Sequence, residues 1–372
     1  MRRDRAFLLL WSGQSISLAG SQVTALALPL VAALTLSATA WDMGLLAACA
    51  RAPYLVLGLP AGAWVDRLPR RPLLVTCALG QAAALSVVPL ADVTGTLSVP
   101  LLCAVAFTAG AFAVFGDIGT LALVPLVVPP DRLTRAQGAF ETSQSTAQIA
   151  GPAVAGWLVA TFSAPVALLA DALSFLVSAA TLAGIRVRDT VDRGGGVLTG
   201  VRLVFGQRLL RRVTLCTATH MFWVSAFLAQ LPLHLAREGL SPGRIGLTLA
   251  IGAAGGLVGA LVAPRLGERA MPVAIAVAGL GAAGVVAHPL SIAVMWWGVQ
   301  VYHVLQVPIR YRLTPPTLHG RVNAAIRTTV WGTAPLGALV GGVLAEASGL
   351  APALVVSGAG AGLACLWLVV RR

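Results

Sequence analysis

Residues 62–73 read GAWVDRLPRRPL, with one acid and three arginines between two stretches that are almost wholly apolar. This local charge contrasts with the whole chain, in which 58% of the residues are hydrophobic and 10% are charged. Ordinary soluble domains have roughly 45 to 50% apolar and about 25% charged residues. The composition therefore predicts a membrane protein in which this stretch is a polar loop between two membrane-spanning helices.

Working outward from the loop, twelve apolar stretches are long enough to cross a bilayer, which takes about 20 residues of helix. They are numbered spans 1 to 12, and the first six lie near residues 8–36, 43–64, 72–91, 98–124, 139–162 and 164–185. The second six lie near residues 213–235, 245–264, 271–288, 290–309, 322–345 and 350–370. Only His288 and Pro289 separate spans 9 and 10, and proline suits a turn better than a helix interior. The sequence predicts an all-α polytopic membrane protein.

The arginines predict the orientation of the chain. All 26 basic residues are arginines, and the formal net charge is +13, which in a soluble protein would point to nucleic acid. With the N-terminus in the cytoplasm, 22 of the 26 lie in cytoplasmic segments, where basic residues concentrate in membrane proteins. We therefore expect a multi-pass protein of the cell membrane with both termini in the cytoplasm, the lipid bilayer as a partner and no nucleic acid.

The second six spans repeat the first. VPPDRLTRAQGAFET, from residue 128, aligns with TPPTLHGRVNAAIRT, from residue 314, at an offset of 186 residues. The Pro-Pro pairs coincide, Arg135 meets Arg321, and two glycines further along each span also coincide. The repetition predicts two pseudo-symmetric six-helix bundles, residues 1–185 and 213–372, joined by a cytoplasmic linker at 186–212.

Two six-helix halves and the opening loop together resemble the major facilitator superfamily, over the whole chain. The loop matches that superfamily's pattern GxxxDRxxRR at Gly62, Asp66, Arg67, Arg70 and Arg71, with a proline at 69 where glycine is common. SGQSISLAGSQVTALALPLV (12–31), ADALSFLVSA (170–179) and GRVNAAIRTTVWGTAPLGALVGG (320–342) resemble the branch of macrolide-efflux and enterobactin-exporter proteins. The resemblance implies secondary transport by halves that rock about a central substrate site.

The resemblance also implies a latch in the opening loop. Gly62 would let spans 2 and 3 turn tightly, and Asp66 would accept hydrogen bonds at the N-terminus of span 11, where the helix dipole favours an anion. With Arg67, Arg70 and Arg71, it would hold one state of a two-state switch. The alternative is that these charges only fix the topology.

Five ionisable residues fall within spans, where charge is costly and usually faces a cavity or a partner. They are Arg51, Asp117, Glu141, Asp171 and Arg327. Arg51 should find an acid, for which Asp117 or Asp171 could serve. Proton coupling and a static ion pair both stay open for Asp117, whereas helix packing or a fixed pair is favoured for Asp171. A P-loop requires lysine, which this chain lacks, so we expect a proton gradient as energy source and no cofactor.

Glu141 and Arg327 occupy equivalent positions of the repeat and carry opposite charges. This arrangement suggests a gate bridge between the halves. Separate pairing is the alternative, with Glu141 bound to Arg132 or Arg135, and Arg327 bound to Asp66 or to helix ends.

The stretch GPAVAG at 151–156 resembles the antiporter signature of exporters in this superfamily. Gly151 and Gly156 permit close helix approach, and Pro152 frees a backbone carbonyl and bends the helix. The stretch favours export.

Polar and aromatic residues at helical spacing predict the wall of a substrate cavity. In spans 1, 7 and 10 they are Gln14, Ser17, Ser21, Thr24, His220, Trp223, Phe227, Gln230, Trp296, Gln300 and His303. Such a wall suits a bulky amphipathic solute. The alternative is that these residues join helices or mark the membrane interface.

Neither the five cysteines nor the five histidines have metal-binding spacing, and no HExxH or GxSxG stretch is present. We therefore expect no metal site and no enzyme. The favoured function is proton-coupled efflux of a small amphipathic molecule by a monomer. The alternatives are an importer or facilitator of the same fold, or a membrane receptor or sensor that does not transport.

Overall fold

The chain is helical throughout the part that the structure describes. A computed structural model describes residues 2–65, 67–129, 132–185, 198–315 and 318–369. Within these ranges, helices are joined by short turns, and no strand is present. The all-α prediction is confirmed. Asp66 and the first part of the predicted linker, residues 186–197, lie outside the described residues.

Helices occupy all twelve predicted spans. In spans 1 to 6 they are Arg2–Leu30 with a π-helical turn at Val31–Thr35, Ala40–Val56 with Gly58–Val65, Arg70–Val93, Val99–Val127, Leu133–Phe162 and Ala164–Ala183. In spans 7 to 12 they are Arg208–Arg237, Pro242–Leu266, Met271–Ala283 with Gly284–Val286, Ile292–Leu313, His319–Gly332 with Ala334–Ser348, and Leu350–Leu363 with Leu366–Val369. A short helix, Leu198–Gly206, precedes span 7.

Nine of these spans, counted over the described residues, are long and apolar enough by length and composition to cross a membrane. The other three are span 2, which is interrupted at Leu57, and spans 5 and 7, which carry more polar residues. The predicted turn between spans 9 and 10 is confirmed, because His288 Nδ1 accepts a hydrogen bond of 3.2 Å from the backbone N–H of Leu290.

The same helix pairs pack in both sets of six spans. Span 1 packs against spans 4, 5 and 6, and span 3 packs against spans 4 and 6. Likewise, span 7 packs against spans 10, 11 and 12, and span 9 packs against spans 10 and 12. Each pair recurs six spans later, so the packing agrees with the predicted duplication.

Residue contacts divide the chain into two compact units. Unit 1 consists of Met1–Ser37, Val56–Gly194 and Ser241–Gly246. Unit 2 consists of Ala38–Leu55, Gly195–Leu240 and Leu247–Arg372. Most of span 2 thus packs with unit 2, and the beginning of span 8 packs with unit 1. The halves predicted from repetition, 1–185 and 213–372, stay a prediction about sequence and topology.

Each unit buries its own apolar core. In unit 1 the core includes Leu10, Leu123 and Leu182, from spans 1, 4 and 6. In unit 2 it includes Ile275 and Tyr302, from spans 9 and 10. Because lipid tails are as apolar as these side chains, close van der Waals packing between helices, and not removal from water, fixes how they associate inside each unit.

Candidate functional site

The charged loop after span 2 is anchored in unit 1 through Arg71. Its Nε donates a hydrogen bond of 3.3 Å to the carbonyl of Leu182, and its Nη2 donates to the carbonyl of Ala183. These carbonyls lie at the end of span 6, where the helix dipole favours a cation. Arg71 therefore ties the loop to span 6, a structural role beyond fixing topology.

The structure also describes Gly62, Arg67 and Arg70 of this loop. Gly62 lies inside the helix Gly58–Val65, and no atom lies within 4 Å of the position that a Cβ would take there. Because the helix continues past Gly62, the expectation that this glycine allows the tight turn is wrong. Arg67 is exposed, whereas Arg70 at the start of span 3 is only 8% exposed. Asp66 lies outside the described residues, so the latch stays a prediction.

Asp171 is buried between spans 6 and 1. One carboxylate oxygen accepts a hydrogen bond of 2.5 Å from Thr24 Oγ1, and the other accepts one of 2.9 Å from Ser174 Oγ. Gly20 allows this contact, because a Cβ at that position would lie 2.5 Å from Asp171 Oδ1. Asp171 is 1% exposed. These contacts favour the helix-packing alternative for Asp171 over proton coupling.

The contacts of span 1 bear on its cavity prediction. Thr24 donates a hydrogen bond to Asp171 and is half-buried, so its lining of a cavity stays a prediction. Ser17 is buried among helices and does not lie on an open wall. Ser21 and Gln14 are half-buried, and Gln14 Nε2 donates a hydrogen bond of 3.2 Å to Thr120 Oγ1 of span 4.

Span 1 also bonds to span 5 through a polar cluster. Trp11 Nε1 donates to Ser143 Oγ at 3.1 Å, and Ser15 Oγ donates to the same oxygen at 2.8 Å. Sequence reasoning did not select these residues. Ser15 and Trp11 are four positions apart, a spacing that places two side chains on the same face of a helix and could have identified the pair.

Asp117 and Glu141 lie on exposed faces of unit 1. Asp117 is ten residues before the end of span 4, about 15 Å along the helix, and Glu141 is eight residues after the start of span 5, about 12 Å along it. An exposed carboxylate within a span is tolerated beside water. The predicted Glu141–Arg327 bridge joins residues of different units and stays a prediction.

The GPAVAG stretch makes close contacts within unit 1. Gly151 packs on the side chain of Gln22 in span 1. A Cβ at Gly156 would lie 2.6 Å from the carbonyl oxygen of Pro242 and 2.9 Å from the Cα of Gly246, at the start of span 8. Both atoms are backbone, so the helices cross with no room for a side chain. The predicted close approach is present at both glycines.

Two arginines and two aromatic rings form a stack in unit 2, here called the arginine–aromatic stack. The guanidinium carbon of Arg51 lies 5.0 Å from the ring centroid of Trp331. Trp331 stacks on Tyr54 with centroids 5.9 Å apart and an interplanar angle of 30°. The guanidinium carbon of Arg327 lies 6.0 Å from the centroid of Tyr54. All are distances typical of cation–π and aromatic contacts.

The stack bears on the expectation that Arg51 pairs with an acid. The carboxylate of Asp171 accepts hydrogen bonds from two hydroxyls, and within unit 2 Arg51 lies against the ring of Trp331. Pairing of Arg51 with Asp117 stays a prediction. Tyr54 and Trp331 were missed, although each follows an arginine of its own helix by three or four positions, the spacing of neighbours on one face.

Span 7 contributes mostly buried contacts. His220 is 3% exposed, and its Nδ1 lies 3.1 Å from the carbonyl oxygen of Ala361. Gln230 is 1% exposed, and its Nε2 donates a hydrogen bond of 3.0 Å to the carbonyl of Ala40 in span 2. Phe227 is also 1% exposed. None of the three therefore lies on an open cavity wall: His220 and Gln230 join helices, and Phe227 is buried in the apolar core of unit 2.

The remaining aromatic residue of span 7 and those of span 10 are half-buried. Trp223 packs against Gly360 of span 12. Trp296 and Gln300 pack on two glycines of span 8, where a Cβ at Gly256 would lie 3.1 Å from Gln300 Cγ. These positions are compatible with either a cavity wall or a helix contact, as is that of His303, which is also half-buried.

A buried polar network beside His303 was also missed. Tyr302 OH donates to the carbonyl of Val213 at 3.1 Å and lies 2.8 Å from Thr217 Oγ1. Thr217 also donates to Gln306 Oε1 at 3.1 Å, and Arg310 Nη2 donates to the same oxygen at 2.6 Å. This network joins spans 7 and 10 inside the unit 2 core.

The family model of the Major Facilitator Superfamily matches residues 10–309. Among curated proteins, the multidrug efflux pump Tap of Mycobacterium tuberculosis is 28% identical over 382 residues, covering 94% of this chain and 88% of its own. Macrolide efflux protein A of Streptococcus pyogenes is 24% identical over 375 residues, covering 95% and 92%.

Solved structures agree in fold. A bacterial homologue of the iron transporter ferroportin has a TM-score of 0.74 at 17% identity, with 98% of both chains covered. A bacterial homologue of the human lysosomal transporter Spinster has a TM-score of 0.73 at 16% identity, with 99% of this chain and 95% of that chain covered. At these identities the likeness concerns the fold alone.

Proposed function

This chain belongs to the Major Facilitator Superfamily, and we propose that it is a proton-coupled exporter of a small amphipathic molecule that works by alternating access. It is a multi-pass membrane transporter with efflux pumps among its relatives. The proposal adds the direction, the coupling ion and the class of solute.

Export is supported by the relatives and by one contact of the chain itself. The two named relatives are efflux proteins and align over nearly the whole chain. The GPAVAG stretch, which resembles the exporter signature, makes a backbone contact with span 8 at Gly156. Such a contact is a natural point of motion, because two packed helices without side chains between them can slide or separate as rigid bodies.

Proton coupling is assigned first to Asp117, and the observation that carries it is the exposure of this carboxylate within span 4. A carboxylate within a membrane gains and loses protons most readily where water reaches it. Glu141 is the second candidate, for the same reason. Asp171 is the third, because its two hydroxyl partners hold it in a helix contact.

The proposed partners are a small-molecule substrate and the lipid bilayer, with the protein acting as a monomer in the cell membrane and both termini in the cytoplasm. A proton gradient supplies the energy, and no cofactor is required. Gln14, Ser21, Thr24, Trp223, Trp296, Gln300 and His303 remain proposed wall residues, since they are half-buried in the structure.

The test uses purified protein in proteoliposomes with an imposed pH gradient. Radiolabelled or fluorescent antibiotics, siderophores and dyes are screened for gradient-driven accumulation, and each active compound is tested with Asp117→Asn. We expect accumulation against a gradient by the wild type and only equilibration by the variant. Compounds that merely equilibrate through the wild type, whatever the pH gradient, would instead identify a facilitator.

A further inference from the structure

The arginine–aromatic stack lies deep within the membrane-spanning part of unit 2. Arg51 is eleven residues from the start of span 2 at Ala40, about 16 Å along a helix that crosses a hydrocarbon layer of about 30 Å. Arg51 as a whole residue is exposed, and its guanidinium lies over the ring of Trp331. A guanidinium at this depth is unfavourable against lipid, so it meets an aromatic face, water or an anion.

The described acids of unit 2 do not supply that anion. There are four, Asp42, Glu238, Glu268 and Glu346, and all lie at the ends of spans or between them. Asp42 accepts hydrogen bonds from Thr39, and Glu268 pairs with Arg312 at 2.5 Å. Within this unit, then, the positive charge of Arg51 is held in place by an aromatic face instead of being neutralised by a carboxylate.

Both helices that carry the stack are interrupted beside it. Span 2 breaks at Leu57, three residues after Tyr54, and span 11 breaks at Thr333, two residues after Trp331. Gly332, the last residue before the break in span 11, lies against span 2, because a Cβ at Gly332 would lie 3.1 Å from Leu55 Cδ1. Broken helices at membrane depth occur where a transporter lines a cavity or binds its substrate. This observation is independent of the charges.

We propose that Arg51, Trp331 and Tyr54 form a subsite for the anionic, planar aromatic part of the transported solute. The flat guanidinium presents paired N–H donors that match a carboxylate, sulfonate or phenolate, and the two rings offer stacking surface. This inference rests on the proposed function and narrows it, since it assigns negative charge to a substrate that was otherwise only amphipathic.

The test compares two dyes that share one tricyclic ring system and differ in charge: fluorescein, an anion at pH 8, and rhodamine 6G, a cation. Binding to the protein in nanodiscs of neutral lipid is followed by fluorescence anisotropy, with no gradient present. We expect Arg51→Gln to weaken fluorescein binding roughly 10- to 100-fold, as for loss of a charged hydrogen-bonding partner, and to leave rhodamine 6G binding unchanged or tighter.

Arg312→Gln is the matched control, because Arg312 is exposed at the end of span 10 and paired with Glu268. This variant should bind both dyes with the wild-type affinity. Arg51→Lys keeps the positive charge but not the planar guanidinium, so it provides a second variant in case Arg51→Gln does not fold. It should weaken fluorescein binding by a smaller factor than Arg51→Gln. Trp331→Leu should weaken it through lost stacking.

Equal fluorescein affinity in the wild type, Arg51→Lys and Trp331→Leu would overturn the inference, as would no fluorescein binding to the wild type. Loss of fluorescein binding in discs that contain anionic lipid would also overturn the inference, because it would show that a lipid head group occupies the site. Arg51-dependent binding without gradient-driven transport of any compound would instead remove the exporter proposal and leave the subsite standing. Gradient-driven transport together with fluorescein binding that does not depend on Arg51 would remove the subsite and leave the exporter proposal standing.

Discussion

Replacement of Gly156 by alanine should loosen the contact between spans 5 and 8. The new Cβ would lie 2.6 Å from the carbonyl oxygen of Pro242 and 2.9 Å from the Cα of Gly246. Ordinary van der Waals contact begins at 3.4 Å, so the two backbones must separate by about 0.8 Å. Because neither obstacle is a flexible side chain, the strain cannot be relieved by a rotamer change, and we expect a cost of about 1 to 3 kcal/mol.

Gly138→Ala is the matched control on the same helix, since nothing lies within 4 Å of a Cβ at Gly138. Alanine favours a helix over glycine by about 0.8 to 1 kcal/mol, and this gain is common to both variants. The difference between them therefore isolates the overpacking. Thermal unfolding in detergent, followed by a thiol-reactive or intrinsic fluorescence signal, should give a lower Tm for Gly156→Ala than for Gly138→Ala. Equal Tm values would refute the close approach.

Three further outcomes follow from hydrogen bonds and ion pairs. Thr24→Val should lower the free energy of unfolding by about 1 to 3 kcal/mol, because it removes a hydrogen-bond donor from the buried Asp171 carboxylate. Thr24→Ser keeps the hydroxyl and should retain most of the wild-type stability. Equal Tm values for the two variants would contradict the contact. Tyr302→Phe should cost about 1 to 2 kcal/mol, because it removes the buried hydroxyl that bonds to the carbonyl of Val213 and to Thr217 Oγ1; an unchanged Tm in the same thermal assay would argue against the network. Glu268→Gln should change the free energy of unfolding by less than about 1 kcal/mol, because the Glu268 and Arg312 side chains are 47% and 62% exposed. A large loss of stability that does not depend on salt would show that this pair is more than a surface contact.

The fold was predictable because its signals are long and repeated. Twelve apolar stretches, each close to the length of a bilayer crossing, gave helices at every predicted position. The turn at His288 was found from a single proline, because proline removes a backbone donor and so breaks a long apolar run. The duplication was visible in Pro-Pro and arginine matches, and it reappears in the helix pairs that pack.

The site was less predictable, because helical spacing identifies a face but not what the face meets. Gln230, His220 and Phe227 share one face of span 7, yet that face is buried. Thr24 was selected as a cavity hydroxyl, and its hydrogen bond to Asp171, beside a glycine at position 20, was missed. The contact of Arg51 with Trp331, more than 250 residues away in sequence, was missed as well. Such long-range partners depend on packing that one sequence does not encode locally.

Proton movement driven by substrate is the measurement that tests the proposed function most directly. Proteoliposomes are loaded with a pH-sensitive dye, no other gradient is imposed, and a transported compound is added to the wild type, Asp117→Asn and Asp171→Asn. We expect a pH change with the wild type that is lost in Asp117→Asn and persists, on correctly folded protein, in Asp171→Asn. Substrate equilibration without any pH change in the wild type would contradict proton-coupled export.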